Sequence, residues 1–297
     1  MVIVITGPTC VGKTKMSIEL AKRLNGEVIN ADSTQVYIGL SIATAKVTEE
    51  EMDNVPHHLI DIKKIDEEYS VYDYQKDCRE AIDDILSRGK VPIMVGGTGL
   101  YIKAALYNYD FIEYKKNNYD NLSLDELYSK VVSLDKNNKV HKNNRKRLET
   151  ALNYMENTNK TFSSKEKSDE LIYDTLFIGL TTDRNILYDR INKRVDDMLN
   201  IGLIDEAYNL YKSNIRSKAV MTPIGYKELF LYFDKKNTLE ECIEKIKQNS
   251  RRYAKRQYTW FNHQLDIKWF DVDFNNFENT IFDVIKYIEN KMNDWIK

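Results

Sequence analysis

Residues 1–14 read Met1-Val2-Ile3-Val4-Ile5-Thr6-Gly7-Pro8-Thr9-Cys10-Val11-Gly12-Lys13-Thr14. Val2 to Thr6 is apolar, β-branched and stopped by Gly7, which predicts a buried strand. A helix is predicted from about Lys13 to Leu24, with Met16, Leu20, Ala21 and Leu24 forming its apolar stripe. Between them, Gly7 to Thr14 matches G-x-x-x-x-G-K-[ST] in the strand–loop–helix setting that the motif needs. The loop Gly7, Pro8, Thr9, Cys10, Val11 and Gly12 can turn backbone N–H groups onto a phosphate, and the helix N-terminus adds favourable partial charge. Lys13 supplies a point charge and Thr14 a hydroxyl that can ligate Mg²⁺. Such a loop implies a bound di- or triphosphate without saying whose.

Downstream, Glu27 to Asn30 reads as a second strand with Asp32-Ser33 just past its end, and Leu59-Ile60 as a further short one. A helix is predicted over 71–88, and a buried strand at Val91–Val95 ended by Gly96-Gly97. Another strand is predicted from Asp174 to Thr181, a helix from near Asp183, and a last strand at Asp266–Phe270. Strands alternating with helices predict an α/β fold, a P-loop nucleoside-triphosphatase-like parallel sheet flanked by helices. Residues 100–178 contain no glycine or proline and are rich in Asn, Lys and Tyr. They predict a small all-helical insertion at 110–170, with turns at Asn117-Asn118 and Asn137-Asn138. The core then has two parts, 1–109 and 171–297.

No apolar run approaches the ~18 residues of a membrane helix, so no membrane contact is expected. The first strand runs almost from residue 1 into the loop, so no leader is expected. The three cysteines, Cys10, Cys78 and Cys242, are far apart, which supports neither a zinc site nor a disulfide framework. A cytoplasmic, monomeric protein is expected. The formal net charge of −2 argues against uniform binding to a polyanion. Yet residues 136–147 and 245–256 each hold six Lys/Arg and no acid. Each is either a solvated helix face or a local anion contact.

An NTPase would need a magnesium-binding acid at the end of an apolar strand. Val91–Val95 ends in Gly-Gly-Thr-Gly with no acid, and Leu59-Ile60-Asp61 is a weak substitute. Asp32 is the acid best placed at the mouth of a parallel sheet, where strand C-termini line the ligand crevice. An Asp in that position can equally cap a turn.

Several further blocks stand in a distinctive order: Asp32-Ser33-Thr34-Gln35-Val36-Tyr37, Thr44-Ala45-Lys46, Pro56-His57-His58 and Gly96-Gly97-Thr98-Gly99-Leu100-Tyr101. The second half adds Arg190-Ile191-Asn192-Lys193-Arg194-Val195, Ile224-Gly225-Tyr226-Lys227-Glu228 and Ala254-Lys255-Arg256-Gln257-Tyr258-Thr259-Trp260. With the glycine loop, they resemble the tRNA dimethylallyltransferase (isopentenyltransferase) family over nearly the whole chain.

The resemblance implies that the loop cradles the diphosphate of dimethylallyl diphosphate. The acceptor is then N6 of the adenine 3′-adjacent to the tRNA anticodon. Asp32 matches the aspartate that takes the amine proton, and Arg194 the arginine that reaches the diphosphate beside Lys13. Thr98 matches the threonine that lines the channel and touches the incoming nucleotide. Ser33, Thr34 and Gln35 fall on the tRNA side with Asp32, and Arg147 falls in the insertion expected on the anticodon stem-loop. Mg²⁺ on Thr14 is the implied cofactor. At helical spacing, Lys247, Arg251 and Lys255 predict a phosphate-facing stripe beside a buried one of Ile246, Tyr253 and Trp260. His57 and His58 are expected to be structural.

The chain departs from the family pattern in places. Ile42-Ala43-Thr44-Ala45-Lys46-Val47 stands where the family has I-G-T-A-K-P. Asp135-Lys136 replaces Asp-Pro, and Arg147-Leu148-Glu149-Thr150-Ala151-Leu152-Asn153 replaces R-x-x-R-A-L-E. Other readings of the same residues are an ATP-dependent small-molecule or nucleotide kinase, an adenylate isopentenyltransferase, or an RNA-binding module with a vestigial loop.

Overall fold

The computed structural model describes residues 1–109, 111, 117–164 and 170–296. Residues 110, 112–116 and 165–169 of the expected insertion lie outside the described residues. The first part of the core runs β1 Val2–Thr6, α1 Lys13–Arg23, β2 Gly26–Asn30, α2 Glu49–Met52, β3 His57–His58, α3 Val71–Ser87, β4 Val91–Val95 and α4 Gly99–Leu106. The insertion holds α5 Leu124–Leu134 and α6 Arg145–Thr158. The chain then continues with β5 Thr175–Thr181, α7 Arg184–Asn200, α8 Leu203–Lys212, α9 Lys218–Met221 and α10 Tyr226–Phe233. Finally come α11 Leu239–Gln264, β6 Lys268–Asp271 and α12 Phe277–Ile296.

Six strands form one parallel sheet in the order β3-β2-β4-β1-β5-β6. Because side chains alternate across a strand, β1 feeds two cores. Val2 and Val4 pack with Tyr74, Ile82 and Ile85 on one face, while Ile3 and Ile5 pack with Met16, Leu20 and Ile281 on the other. All five residues of β1 are buried, as a central parallel strand covered by helices requires.

The expected strand at Leu59-Ile60 falls two residues earlier. His57 and His58 pair with Val28 and Ile29, and Leu59 takes φ +63°, which ends the strand. The Asn30 amide fixes that bend by donating to the Leu59 carbonyl at 3.0 Å.

Two compact units are present: residues 1–107 with 171–297, and residues 108–170. The smaller has its own core, in which Leu127 and Val131 of α5 meet Leu148, Ala151 and Leu152 of α6. Asp135, where the family pattern continues with proline, is buried there; it accepts from the Ser163 N–H and hydroxyl, both at 2.7 Å. No helix among the described residues is long and apolar enough to cross a membrane.

Candidate active site

The loop after β1 turns through two residues that only glycine serves well. Gly7 has φ +133°, and a Cβ there would lie 2.3 Å from the Leu180 carbonyl oxygen. Gly12 has φ +90° and is the N-cap of α1. No side chain caps that helix, so its first N–H groups are offered to a ligand. Lys13 folds back over the loop, donating to the Gly7 and Pro8 carbonyls at 3.0 and 2.7 Å. Burial pushes the Lys13 ammonium down to about 8; Arg194 deepens the depression, while Cys10 and Asp32 oppose it.

A cavity of about 680 Å³ opens at the C-terminal ends of β1, β2 and β4. The loop residues Thr9, Cys10, Gly12, Lys13 and Thr14 line one side of it. Asp32 and Gln35 from the β2 end also face it, as do Gly96 and Gly97 from the β4 end and Arg190 and Arg194 from α7. Parallel strands bring their C-terminal loops to one edge, and this cavity sits on it.

Asp32 is partly buried. Its Oδ1 accepts from the Thr34 N–H at 2.9 Å and the Thr34 hydroxyl at 2.6 Å. Oδ2 takes no hydrogen bond from the described residues, so one carboxylate oxygen can accept a proton. Thr98 Oγ1 accepts from the Ser33 N–H at 3.1 Å, joining the β2 and β4 ends. Gln35 is turned onto the neighbouring loop, its amide donating to the Thr44 and Ala45 carbonyls at 3.1 and 3.2 Å.

Arg190 and Arg194 stand one turn apart on α7 and both reach the glycine loop. Arg190 Nε donates to the Cys10 carbonyl at 3.0 Å, with its guanidinium 3.7 Å above the Phe274 ring. Arg194 Nη1 lies 3.3 Å from Thr9 Oγ1.

Two contributors on α11 were not given a site role from sequence. Gln257, buried, accepts from the Thr9 N–H at 3.0 Å and donates to the Gly97 carbonyl at 3.1 Å. It thereby ties the phosphate loop to the β4 end. Tyr253, one turn earlier, lines the cavity beside Asp32, and burial pushes its phenol above the ordinary range. The spacing of four between Tyr253 and Gln257 was the available signal, because it places both on one helix face. Trp260 packs instead against Gly99 and the core, as expected of a core residue.

The basic stripe divides. Lys247 is 16% exposed and paired with Asp196 at 2.7 Å, and Arg251 donates to the Asn192 side chain, so α7 occupies both. Only Lys255 of the three is exposed. The surface expected to face phosphate is thus partly a helix–helix contact. Within the insertion, Arg147 is exposed, whereas Arg145 donates to the Leu122 and Tyr119 carbonyls at 2.9 and 2.7 Å.

The donor set suits Mg²⁺ held through a phosphate, and does not suit a metal caged by protein. Thr14 is exposed at the cavity and its hydroxyl has no partner among the described residues. Those residues also contain no group of three or more His, Cys, Asp or Glu able to hold an ion. Asp61, the alternative strand-end acid, is paired with the buried Lys46 ammonium. His58 is held 2.8 Å from Glu27, and His57 2.8 Å from the Val55 carbonyl, as structural histidines.

Known proteins resemble the chain in sequence and in fold. A family profile described as IPP transferase matches residues 35–264. The tRNA dimethylallyltransferase of Anoxybacillus flavithermus is 49% identical over 300 residues, covering 98% of this chain and 96% of that protein. The crystal structure of the full-length tRNA isopentenylpyrophosphate transferase of Bacillus halodurans superposes with a TM-score of 0.77 at 43% identity, covering 99% and 97% of the two chains. A eukaryotic dimethylallyltransferase, captured acting on tRNA, superposes with a TM-score of 0.88 at 34% identity, covering 99% of this chain and 79% of that one. The family profile spans well over half of the chain and the relatives cover nearly all of it; the chain belongs to the IPP transferase family.

Proposed function

We propose that the protein transfers a dimethylallyl group from dimethylallyl diphosphate to N6 of the adenine 3′-adjacent to the tRNA anticodon, releasing diphosphate. One observation carries the reading: the phosphate cradle and a carboxylate with a free oxygen face each other in a single cavity. An exocyclic adenine amine is a weak nucleophile because its lone pair is delocalised into the ring. As the allylic C–O bond breaks and the C–N bond forms, Asp32 Oδ2 takes the amine proton. The departing diphosphate gains charge, which the loop N–H groups, Lys13 and Arg194 stabilise. Mg²⁺, held by Thr14 and the diphosphate, would supply further charge neutralisation there.

Thr98, Ser33, Thr34 and Gln35 lie around Asp32 and meet the nucleotide, which must leave its stack to reach the cavity. Arg147 and Lys255 are exposed cations suited to the anticodon stem-loop phosphates. Lys247 and Arg251 could join them only by leaving Asp196 and Asn192.

The donor test is calorimetric titration with Mg²⁺ and, in turn, inorganic diphosphate, dimethylallyl diphosphate and ATP, alongside an assay for phosphate release. Binding of the two diphosphates without γ-phosphate release from ATP is expected. Robust γ-phosphate release would hand the site to the kinase reading.

A further inference from the structure

The turn that leads into Thr44-Ala45-Lys46 and the Ile224-Gly225-Tyr226-Lys227-Glu228 block meet on one side chain that neither contains. Glu206, on α8, accepts from three consecutive backbone N–H groups: Ser41 at 3.0 Å, Ile42 at 2.9 Å and Ala43 at 3.1 Å. The Tyr226 hydroxyl, fully buried, donates to the same carboxylate at 2.7 Å. Three successive amides converging on one point form an anion nest, and here the protein's own carboxylate fills it. Gly225, at φ +131°, lies against the loop, where a Cβ would come within 3.3 Å of the Ala43 methyl. Glu228 fixes that turn by accepting from the Gly225 N–H at 2.9 Å and the Asn249 amide at 2.8 Å.

The loop so held forms a wall of the cavity through Ser41, Ile42, Thr44, Ala45 and Lys46. Its backbone shape is held by contacts against a conformational cost. Ala43 and Val47 stand where the family pattern has glycine and proline, and Ala45 adopts φ +47°, a region alanine seldom enters. Its two carbonyls at Thr44 and Ala45 are what Gln35 holds. A displacement of the loop therefore displaces Gln35, which flanks Asp32 in the same cavity.

We propose that Glu206, backed by Tyr226, is a positioning residue for the acceptor: it locks the 41–46 loop and so sets Gln35 beside Asp32. The proposal rests on reading the cavity as a prenyl-transfer site, and it deepens that reading. Among the described residues Glu206 makes no hydrogen bond to the glycine loop, so donor binding is separable from the lock.

The test compares wild type with Glu206→Ala, Glu206→Gln and Tyr226→Phe in three measurements. These are amide hydrogen exchange over 41–43, affinity for inorganic diphosphate with Mg²⁺, and KM for tRNA at saturating dimethylallyl diphosphate. In Glu206→Ala the three amides should exchange at least ~10-fold faster and tRNA KM should rise roughly tenfold, with diphosphate affinity within about twofold of wild type. Glu206→Gln, which keeps one accepting oxygen, should recover part of both effects. Tyr226→Phe should shift both in the same direction by less. The two mild variants carry the test if Glu206→Ala does not fold. Unchanged exchange, or diphosphate affinity falling in step with tRNA KM, would overturn the positioning role. Wild-type transfer with unaltered tRNA KM in the variants would overturn it alone. Absence of transfer by wild type would overturn the prenyl-transfer reading, and this role with it.

Discussion

Lys13 and Asp32 divide the proposed chemistry between donor and acceptor, and each makes a separate demand on measurement. Because burial holds the free Lys13 ammonium at about 8, it begins to lose its proton just above neutrality. A bound diphosphate favours the charged form and raises that pKa. Diphosphate affinity should therefore be full well below pH 8, begin to decline on approaching it and fall by up to about tenfold per pH unit above it. Lys13→Ala should lower the affinity and remove this dependence; titrations across pH 7 to ~9.5 check both. Asp32→Asn should slow single-turnover transfer by roughly 10²–10⁴-fold while tRNA binding changes far less. Near-normal transfer would remove Asp32 from the mechanism. The place of Asp32 was legible because a residue just past a parallel strand must fall on the ligand edge. The engagement of its Oδ1 by Thr34 was not, since an Asx turn and an open carboxylate share one sequence. Gln257 stands within a block that carries the family resemblance, yet its bridging role is not legible there. A buried amide's partners depend on loops 160 and 248 residues distant, which periodicity does not reveal.

The elements were read most successfully where burial dictates pattern. β1, α3, β4 and β5 fell within a residue or so of expectation, because continuous apolar runs and capped helices leave few alternatives. β3 was displaced because its two residues are histidines, whose strand character comes from pairing with β2 and not from their own hydrophobicity. At that edge Glu27 of β2 is buried and gathers Arg88, Lys90 at 2.7 Å and His58 at 2.8 Å. Arg88, followed by Lys90 and His58, holds its carboxyl well below the usual carboxylate range against the burial that would raise it. A depressed folded pKa contributes stability that is complete above the unfolded value near ~4.3 and is lost as pH falls toward the folded value. Glu27→Gln should accordingly cost on the order of 3 kcal/mol at pH 7, and the difference from wild type should shrink below about pH 4. Urea unfolding at both pH values is the measurement. An equal difference at pH 7 and below 4 would mean that packing, and not charge, is what Glu27 contributes. On α11 the charge pattern misled, since helical spacing identified a face without saying whether RNA or α7 would cover it.

At the scale of the whole molecule, a P-loop core is joined to a separately packed helical unit, and each has its own charge pattern. The insertion's exposed cations include Lys142, Lys146 and Arg147, whereas Arg145 serves its own fold by binding two carbonyls. If this unit grips the anticodon stem, neutralising those three exposed residues should weaken tRNA binding and flatten log K against log[salt] by roughly two units. Affinity measured over a salt series decides it, and an unchanged slope would return the segment to a solvated surface. The sequence exposed the fold class through its glycine loop and alternating elements. It exposed the acceptor side only through resemblance, because nothing about Asp32 or Thr98 in isolation names a nucleic acid. Prenyl transfer to tRNA is read directly on the product. Unmodified tRNA is incubated with the protein, Mg²⁺ and dimethylallyl diphosphate, without ATP, then digested and analysed by mass spectrometry. One dimethylallyl group added at N6 of the adenosine 3′-adjacent to the anticodon is expected. Unaltered tRNA, or modification that appears only when ATP is supplied, would contradict it.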